Sequence, residues 1–282
     1  MNPFSIQKIL VPLDLSQTSL NALDTAVALA KKHNATIMLL NVIEPVLYAS
    51  DETNLHVDEL SNSVDVLTVL AATVQQAGNI KTKIIQLEGN VTDTIIKNSL
   101  LHRSDLIVMG THGASGFRSG FIGSNAYNVA KHSSCPVLIV PPNRKYLSFK
   151  KVVFPVRPVT GALLRYDVAC HFLSTSSSID VLGLSYGMIE GQTNLLKKII
   201  EEIKEQLEID KVKAKSVWGM GQSIAEDVLL YVQQVNPDLV IVTSVLDVIT
   251  KPDFLGPHTQ RILNCSKAPV LCIKKIGVPV LS

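Results

Sequence analysis

The feature that most constrains this chain is that it is written twice. Lys8-Ile9-Leu10-Val11-Pro12-Leu13-Asp14 lines up with Lys151-Val152-Val153-Phe154-Pro155-Val156-Arg157. Asp105-Leu106-Ile107-Val108-Met109 lines up with Asp238-Leu239-Val240-Ile241-Val242, and Phe121-Ile122-Gly123 with Phe254-Leu255-Gly256. Pro136-Val137-Leu138-Ile139 likewise matches Pro269-Val270-Leu271-Cys272. The last three pairs share one offset without a gap. Such self-similarity decides the architecture before any local reading. The polar, proline-bearing stretch Pro141-Pro142-Asn143-Arg144-Lys145 marks the join, which predicts domains at 1–145 and 146–282.

Within the first repeat, two hydrophobic periods alternate. Ile9 to Leu13 is a buried strand, followed by Ser16 as an N-cap and a helix with Leu20, Leu23, Val27 and Ala30 on one face. Ile37 to Ile43 is a second strand, and Leu60, Val64, Leu67, Ala71 and Val74 form a helical stripe. Lys83 to Leu87, Leu106 to Met109 and Pro136 to Val140 are further strands, with helices over 91–101 and 124–131 between them. The second repeat has the same order, with an amphipathic helix at Leu196, Ile199, Ile200, Ile203 and Leu207. Apolar strands alternating with crossover helices predict an α/β fold. Each repeat is a doubly wound parallel sheet with helices on both faces. Ligands in such sheets sit at the carboxyl ends of the strands beside the switch point. Chemistry is therefore expected just after strands one and four.

Composition removes several alternatives. Lys and Arg number 26 against 24 Asp and Glu, with no basic stripe, which argues against nucleic acid as a partner. Aromatics are only 5%, too few for a base-stacking surface. With 46% hydrophobic and 18% charged residues, each repeat can build a core. The chain has no signal-like start and no run of 18 apolar residues, so no membrane partner is expected and the location predicted is cytoplasmic. Cys135, Cys170, Cys265 and Cys272 have no metal-binding spacing and read as reduced, mostly buried thiols. No metal site is predicted.

After strand four comes Gly110-Thr111-His112-Gly113-Ala114-Ser115-Gly116-Phe117-Arg118-Ser119-Gly120-Phe121-Ile122-Gly123-Ser124-Asn125. Five of the chain's 15 glycines fall between Gly110 and Gly123, where they permit close backbone approach to a ligand. Gly123-Ser124 then opens a helix, whose free amides and dipole attract an anion. The build suits a phosphate chain; a surface turn with an ordinary serine cap is the other reading. It is neither a Walker A motif nor a first-strand dinucleotide fingerprint.

The spacing Gly110-x2-Gly113-x9-Gly123-Ser124 resembles the ATP-binding signature of the universal stress protein family. Val11-Pro12-Leu13-Asp14-Leu15-Ser16 and Asn41-Val42-Ile43-Glu44-Pro45 are also similar to that family. The resemblance covers both repeats. It implies five parallel strands per domain, in an adenine nucleotide alpha hydrolase-like fold, and ATP, alone or with Mg, at the switch point. On that resemblance Asp14 lies near the adenosine end, the Val42 backbone reads the adenine edge, and Pro12 walls the base pocket. Gly110 and Gly113 line the ribose and phosphates, while Gly123, Ser124 and the Asn125 amide hold the phosphates. Read without it, Pro12 and Val42 are core residues and Asp14 caps the next helix. The family commonly has a small apolar residue where Asn125 stands.

The second repeat has lost these features. Arg157 replaces Asp14, Thr243 and Leu246 replace Gly110 and Gly113, and Pro257 replaces Ser124. Proline removes a hydroxyl and a backbone donor together. One adenine nucleotide per chain is therefore expected. His112 lies in the loop, but no carboxylate or nucleophile can be tied to it, so no catalytic residue is assigned. The resemblance implies a nucleotide-dependent stress-response regulator with an unidentified protein partner. A slow ATP hydrolase or phosphotransferase, and a pairing module with an empty site, are the alternatives. The fifth strand of each repeat ends a sheet. The two are expected to pair within the chain, since an open apolar edge invites aggregation.

Overall fold

The computed structural model describes residues 4–45, 53–111, 122–142, 147–158, 166–185, 190–219, 221, 223–243 and 255–273, with the backbone alone for 53–63 and 190. The expected join at 145/146 lies outside them.

The first half runs β1 (Lys8–Pro12), α1 (Gln17–His33), β2 (Thr36–Ile43), α2 (Thr53–Gly78), β3 (Thr82–Glu88), α3 (Val91–Leu101), β4 (Leu106–Gly110), α4 (Ser124–His132) and β5 (Val137–Val140). The second runs β6 (Lys151–Val156), α5 (Tyr166–Cys170), β7 (Ser178–Gly183), α6 (Glu190–Ile209), β8 (Lys213–Trp218), α7 (Ile224–Val235), β9 (Leu239–Thr243), α8 (Pro257–Cys265) and β10 (Val270–Ile273). The repetition extends to single hydrogen bonds. Asp105 Oδ2 accepts from the Gln7 and Lys8 amides, and Asp238 Oδ2 accepts from those of Lys150 and Lys151. In each half the carboxylate before the fourth strand holds the start of the first.

Among the described residues the ten strands form one sheet, in the order β3-β2-β1-β4-β5-β10-β9-β6-β7-β8. Pairing is parallel within each half. The central pair β5–β10 is antiparallel, with Leu271 opposite Leu138 and Val270 opposite Ile139. The apolar edges of the two fifth strands thus cover one another, as the edge argument expects. Every residue of both strands is buried, so what ends each five-stranded unit is interior to the whole sheet.

Alternate residues of the strands point to opposite faces. Ile9, Val11, Ile37 and Leu39 join a core with α1, α2, α5 and α6. Leu10, Met38, Leu40 and Ile107 join a second core with α3, α4, α7 and α8. The α6 face is as expected: Leu196, Ile199, Ile200, Ile203 and Leu207 are all buried. Three sequence expectations need correction. The buried face of α1 is centred on Ala22, Ala26 and Leu29, because small alanines let the helix lie close to the sheet; Leu20 and Val27 flank it, half-buried. Val64 of α2 is exposed, while Leu67, Ala71 and Val74 carry the packing. Of the four thiols, all free, only Cys272 is buried. Cys265 is exposed because it ends α8 on the solvent side, and Cys135 and Cys170 are half-buried.

Candidate functional site

The chain reverses its direction of travel across the sheet between β1 and β4, so the switch point of the first half lies beside β1. The β1–β2 ladder ends with Pro12 opposite Leu40, and the Leu13 amide donates to the Leu40 carbonyl at 2.8 Å. Asn41, a buried polar residue in an apolar strand, stops the ladder there. Its Nδ2 donates to the Leu13 carbonyl at 2.8 Å, and its Oδ1 accepts from Gln86 Nε2 at 3.2 Å. The ends of three strands are thereby tied together.

Beyond this clamp, β2 continues alone against β3. The Leu40 carbonyl faces β1 and the Ile43 carbonyl faces β3, where it accepts from the Gly89 amide at 3.0 Å. Backbone polar groups alternate sides along a strand. The N–H and C=O of Val42 therefore face the side that β1 has left, and the β1 register does not reach them. The Val42 side chain packs into the second core. A core side chain and a backbone edge beyond the reach of β1 are compatible in the one residue.

Asp14 is exposed. Its Oδ1 accepts from the Ser16 amide at 3.1 Å and the Ser16 hydroxyl at 2.7 Å. Ser16 in turn caps α1, with Oγ accepting from the Ser19 amide at 3.3 Å. Asp14 is thus the support of the cap and not the cap itself. Between them Leu15 adopts φ +61°, a conformation costing a leucine roughly 1–2 kcal/mol. Strain of this kind persists where surrounding bonds over-determine it.

Gly110 ends β4, and a Cβ placed there would lie 2.6 Å from Thr18 Cγ2. Its lack of a side chain is required by the approach of α1. The next residue, Thr111, is buried, receives its place from the Val140 carbonyl (3.1 Å), and accepts the Gly123 amide at 2.7 Å. Both ends of the glycine loop are thus joined at the carboxyl edge of the sheet; His112 and Gly113 lie outside the described residues. Gly123 is the N-cap of α4, so the cap residue itself brings no side chain to that helix start. Ser124 and Asn125 are exposed in its first turn. The Asn125 side chain is turned away, its Oδ1 accepting from Thr92 Oγ1 of α3 at 3.1 Å. This explains why a polar residue is tolerated there while its backbone amide stays in the helix terminus. Pro12, Asp14, Val42, Gly110 and the Gly123–Asn125 turn therefore share one end of the sheet.

In the second half, buried Thr243 ends β9 and Pro257 is the first residue of α8 after the cap Gly256. The proline deletes the first amide that Ser124 offers. Leu246 lies outside the described residues. Asn41, Thr111 and Asn264, whose side chain meets the Ile122 amide (3.2 Å), were not singled out in the sequence. A polar residue inside the apolar run Ile37–Ile43 is the one available signal among them. Burial, with Asp210 nearby, pushes the Cys170 thiol up to about 12, so it stays protonated. Among the described residues no group of three or more His, Cys, Asp or Glu is placed to hold a metal ion.

The universal stress protein family matches residues 5–141. Universal stress protein YxiE of Bacillus subtilis is 33% identical over 144 residues, spanning 97% of that protein and 47% of this chain. The chain belongs to the universal stress protein family. A relative of one repeat's length accounts for half of the chain. A universal stress protein from Archaeoglobus fulgidus accounts for the rest of the fold. Its crystal structure covers 97% of this chain and 98% of its own with a TM-score of 0.74, at 21% identity. A universal stress protein solved in complex with cAMP is 26% identical over 48% of the chain, with a TM-score of 0.39. No helix among the described residues is long and apolar enough to cross a membrane.

Proposed function

We propose that the first half of this universal stress protein binds one ATP per chain at the switch point and acts as a nucleotide-dependent regulator. The carrying observation is the start of α4, which begins on a glycine cap, exposes Ser124 and Asn125, and is anchored at the edge of β4 by the Gly123–Thr111 bond. Such a terminus supplies amide donors and a favourable dipole to phosphate oxygens. The Ser124 hydroxyl adds one donor. The open backbone edge of Val42 supplies a donor and an acceptor, as an adenine edge requires, and Pro12 with Asp14 closes the β1 side. These groups fit an adenine nucleotide. When bound, ATP brings its phosphate charge to this edge, with Gly113 as a lining residue, and changes the surface shown to a protein partner. A magnesium ion would ride on those phosphates. In this reading the cytoplasm is the site of action, and the domains divide at 145/146.

Calorimetric titration of the full chain with ATP, with cAMP as competitor, tests this. One ATP site per chain is expected. Two equivalent sites would refute the loss of the second site, and no binding would leave a pairing module.

A further inference from the structure

We propose that Asn264, in the second half, is a positioning residue for the nucleotide site of the first. The proposal rests on the nucleotide reading above. The Ile122 amide donates to Asn264 Oδ1 at 3.2 Å, across the boundary between the halves. Ile122 stands directly before Gly123, whose amide donates to the Thr111 carbonyl at 2.7 Å. Two successive amides are thus anchored, one to the end of β4 and one to α8. The next amides along the chain are those of Ser124 and Asn125. Fixing the pair before them fixes the direction in which they point.

The contact has a counterpart, but an unequal one. The Tyr127 hydroxyl of α4 donates to the Leu255 carbonyl at 3.3 Å. Under the gapless repeat offset, Leu255 is the partner of Ile122, and Lys131 that of Asn264. A lysine ammonium has donors only, so it offers nothing to the Leu255 amide. The half that keeps Gly123-Ser124 receives a side-chain acceptor for the preceding amide from a position that in the other half is a lysine. The asymmetry of the support runs the same way as the asymmetry of the site. A second repeat without a phosphate loop of its own is then retained as part of the first repeat's site. Donors held in place before a ligand arrives bind it at lower ordering cost. Because coupling is reciprocal, phosphates that tighten the start of α4 also tighten its hold on α8.

The test uses the full chain with Asn264→Ala and Asn264→Asp. Hydrogen exchange without nucleotide reads the contact itself. The Ile122 amide should be protected in the wild type, exchange about fivefold faster in Asn264→Ala, the equivalent of one lost hydrogen bond, and recover in Asn264→Asp, which keeps an acceptor. The change should be confined to Ile122 and its neighbours. Unchanged exchange in Asn264→Ala overturns the contact whether or not nucleotide binds. Titration with ATP and with adenosine then reads the role. Asn264→Ala should lose about tenfold in ATP affinity and keep its adenosine affinity. Equal loss of both, or of neither, overturns positioning of the phosphate donors. A wild type that binds neither ligand defeats the nucleotide reading and the positioning role with it. The exchange result still reports whether Asn264 holds Ile122.

Discussion

The Nε2 of His33, the last residue of α1, lies 2.8 Å from the carbonyl oxygen of His171, just past the end of α5. The Lys32 ammonium donates to the same carbonyl at 2.9 Å and also to that of Leu173. The His33 and His171 rings are 5.8 Å apart, and Phe4 sits against His171 at 5.2 Å. The end of α1 in one half therefore supplies donors for the carbonyls of the turn that follows α5 in the other. This contact joins the halves on the α1 face of the sheet, and the α4–α8 contacts join them on the opposite face.

Acid should weaken this junction. Burial lowers the pKa of both imidazoles below 6.5, and the Lys32 charge lowers them further. Burial lowers that of Lys32 too, while Asp167 opposes the shift at His171. A histidine lowered in the folded state binds fewer protons folded than unfolded, so its stabilisation is present above pH 6.5 and is lost as pH falls towards the folded value. Urea midpoints measured from pH 7.5 down to about 5.5 should fall below about 6.5. The fall should be shallower in His33→Gln, which keeps a donor without titrating. Equal slopes in the two proteins would show that His33 does not report on the junction.

How much of this was legible follows from what each residue answers to. The succession of strands and helices, the Ser16 cap and the α6 face answer to local period and capping, so residue patterns predict them. Gly110 answers to Thr18, 92 residues away, and its sequence context suggests only a loop. Asp14 was placed at the right end of the right strand, but its bond to Ser16 depends on the left-handed turn at Leu15, which an ordinary leucine does not announce. Asn264 lies on the opposite side of the duplication from the loop it touches. Contacts that cross the sheet leave no spacing in the chain.

Gly110→Ala should separate packing from binding. The added carbon would meet Thr18 Cγ2 at 2.6 Å and the Thr18 carbonyl carbon at 3.1 Å. Overpacking of this kind costs typically about 1–3 kcal/mol. Chemical denaturation should show that loss, with partial recovery in Gly110→Ala/Thr18→Ala, where the side-chain clash is relieved and the backbone contact remains. Full stability in the single variant would mean that α1 yields easily and that Gly110 must be explained by the ligand.

Ser124→Pro copies into the first half what Pro257 already places in the second. Proline suits the first position of a helix, and α8 carries it there after the same glycine cap. Stability should therefore hold. The variant removes one amide and one hydroxyl from the phosphate donors. A hydrogen bond to a charged group contributes about 1.5–3 kcal/mol, so ATP affinity should fall by at least about tenfold. Undiminished affinity, measured by calorimetry, would take the start of α4 out of the site.

The last prediction concerns what the duplication achieves. In the full chain, β5 is paired on one side by β4 and on the other by β10, and all four of its residues are buried. Residues 1–145 expressed alone lose β10 and bare one row of amides and carbonyls on an apolar strand. They also lose the His171 and Leu173 carbonyls that Lys32 fills. An edge of this kind pairs with whatever strand is offered. The nearest suitable strand is the β5 of a second fragment, related by a two-fold axis as β10 is related to β5 here. Sedimentation of the fragment should show a dimer or larger species, with the share of monomer rising on dilution. Adding a separately produced 146–282 fragment should convert it to a one-to-one complex, because β10 restores the native partner. A fragment that stays monomeric at high concentration and ignores the second half would show that the central strand pair contributes little. The junction would then rest on the Lys32, His33 and Asn264 contacts.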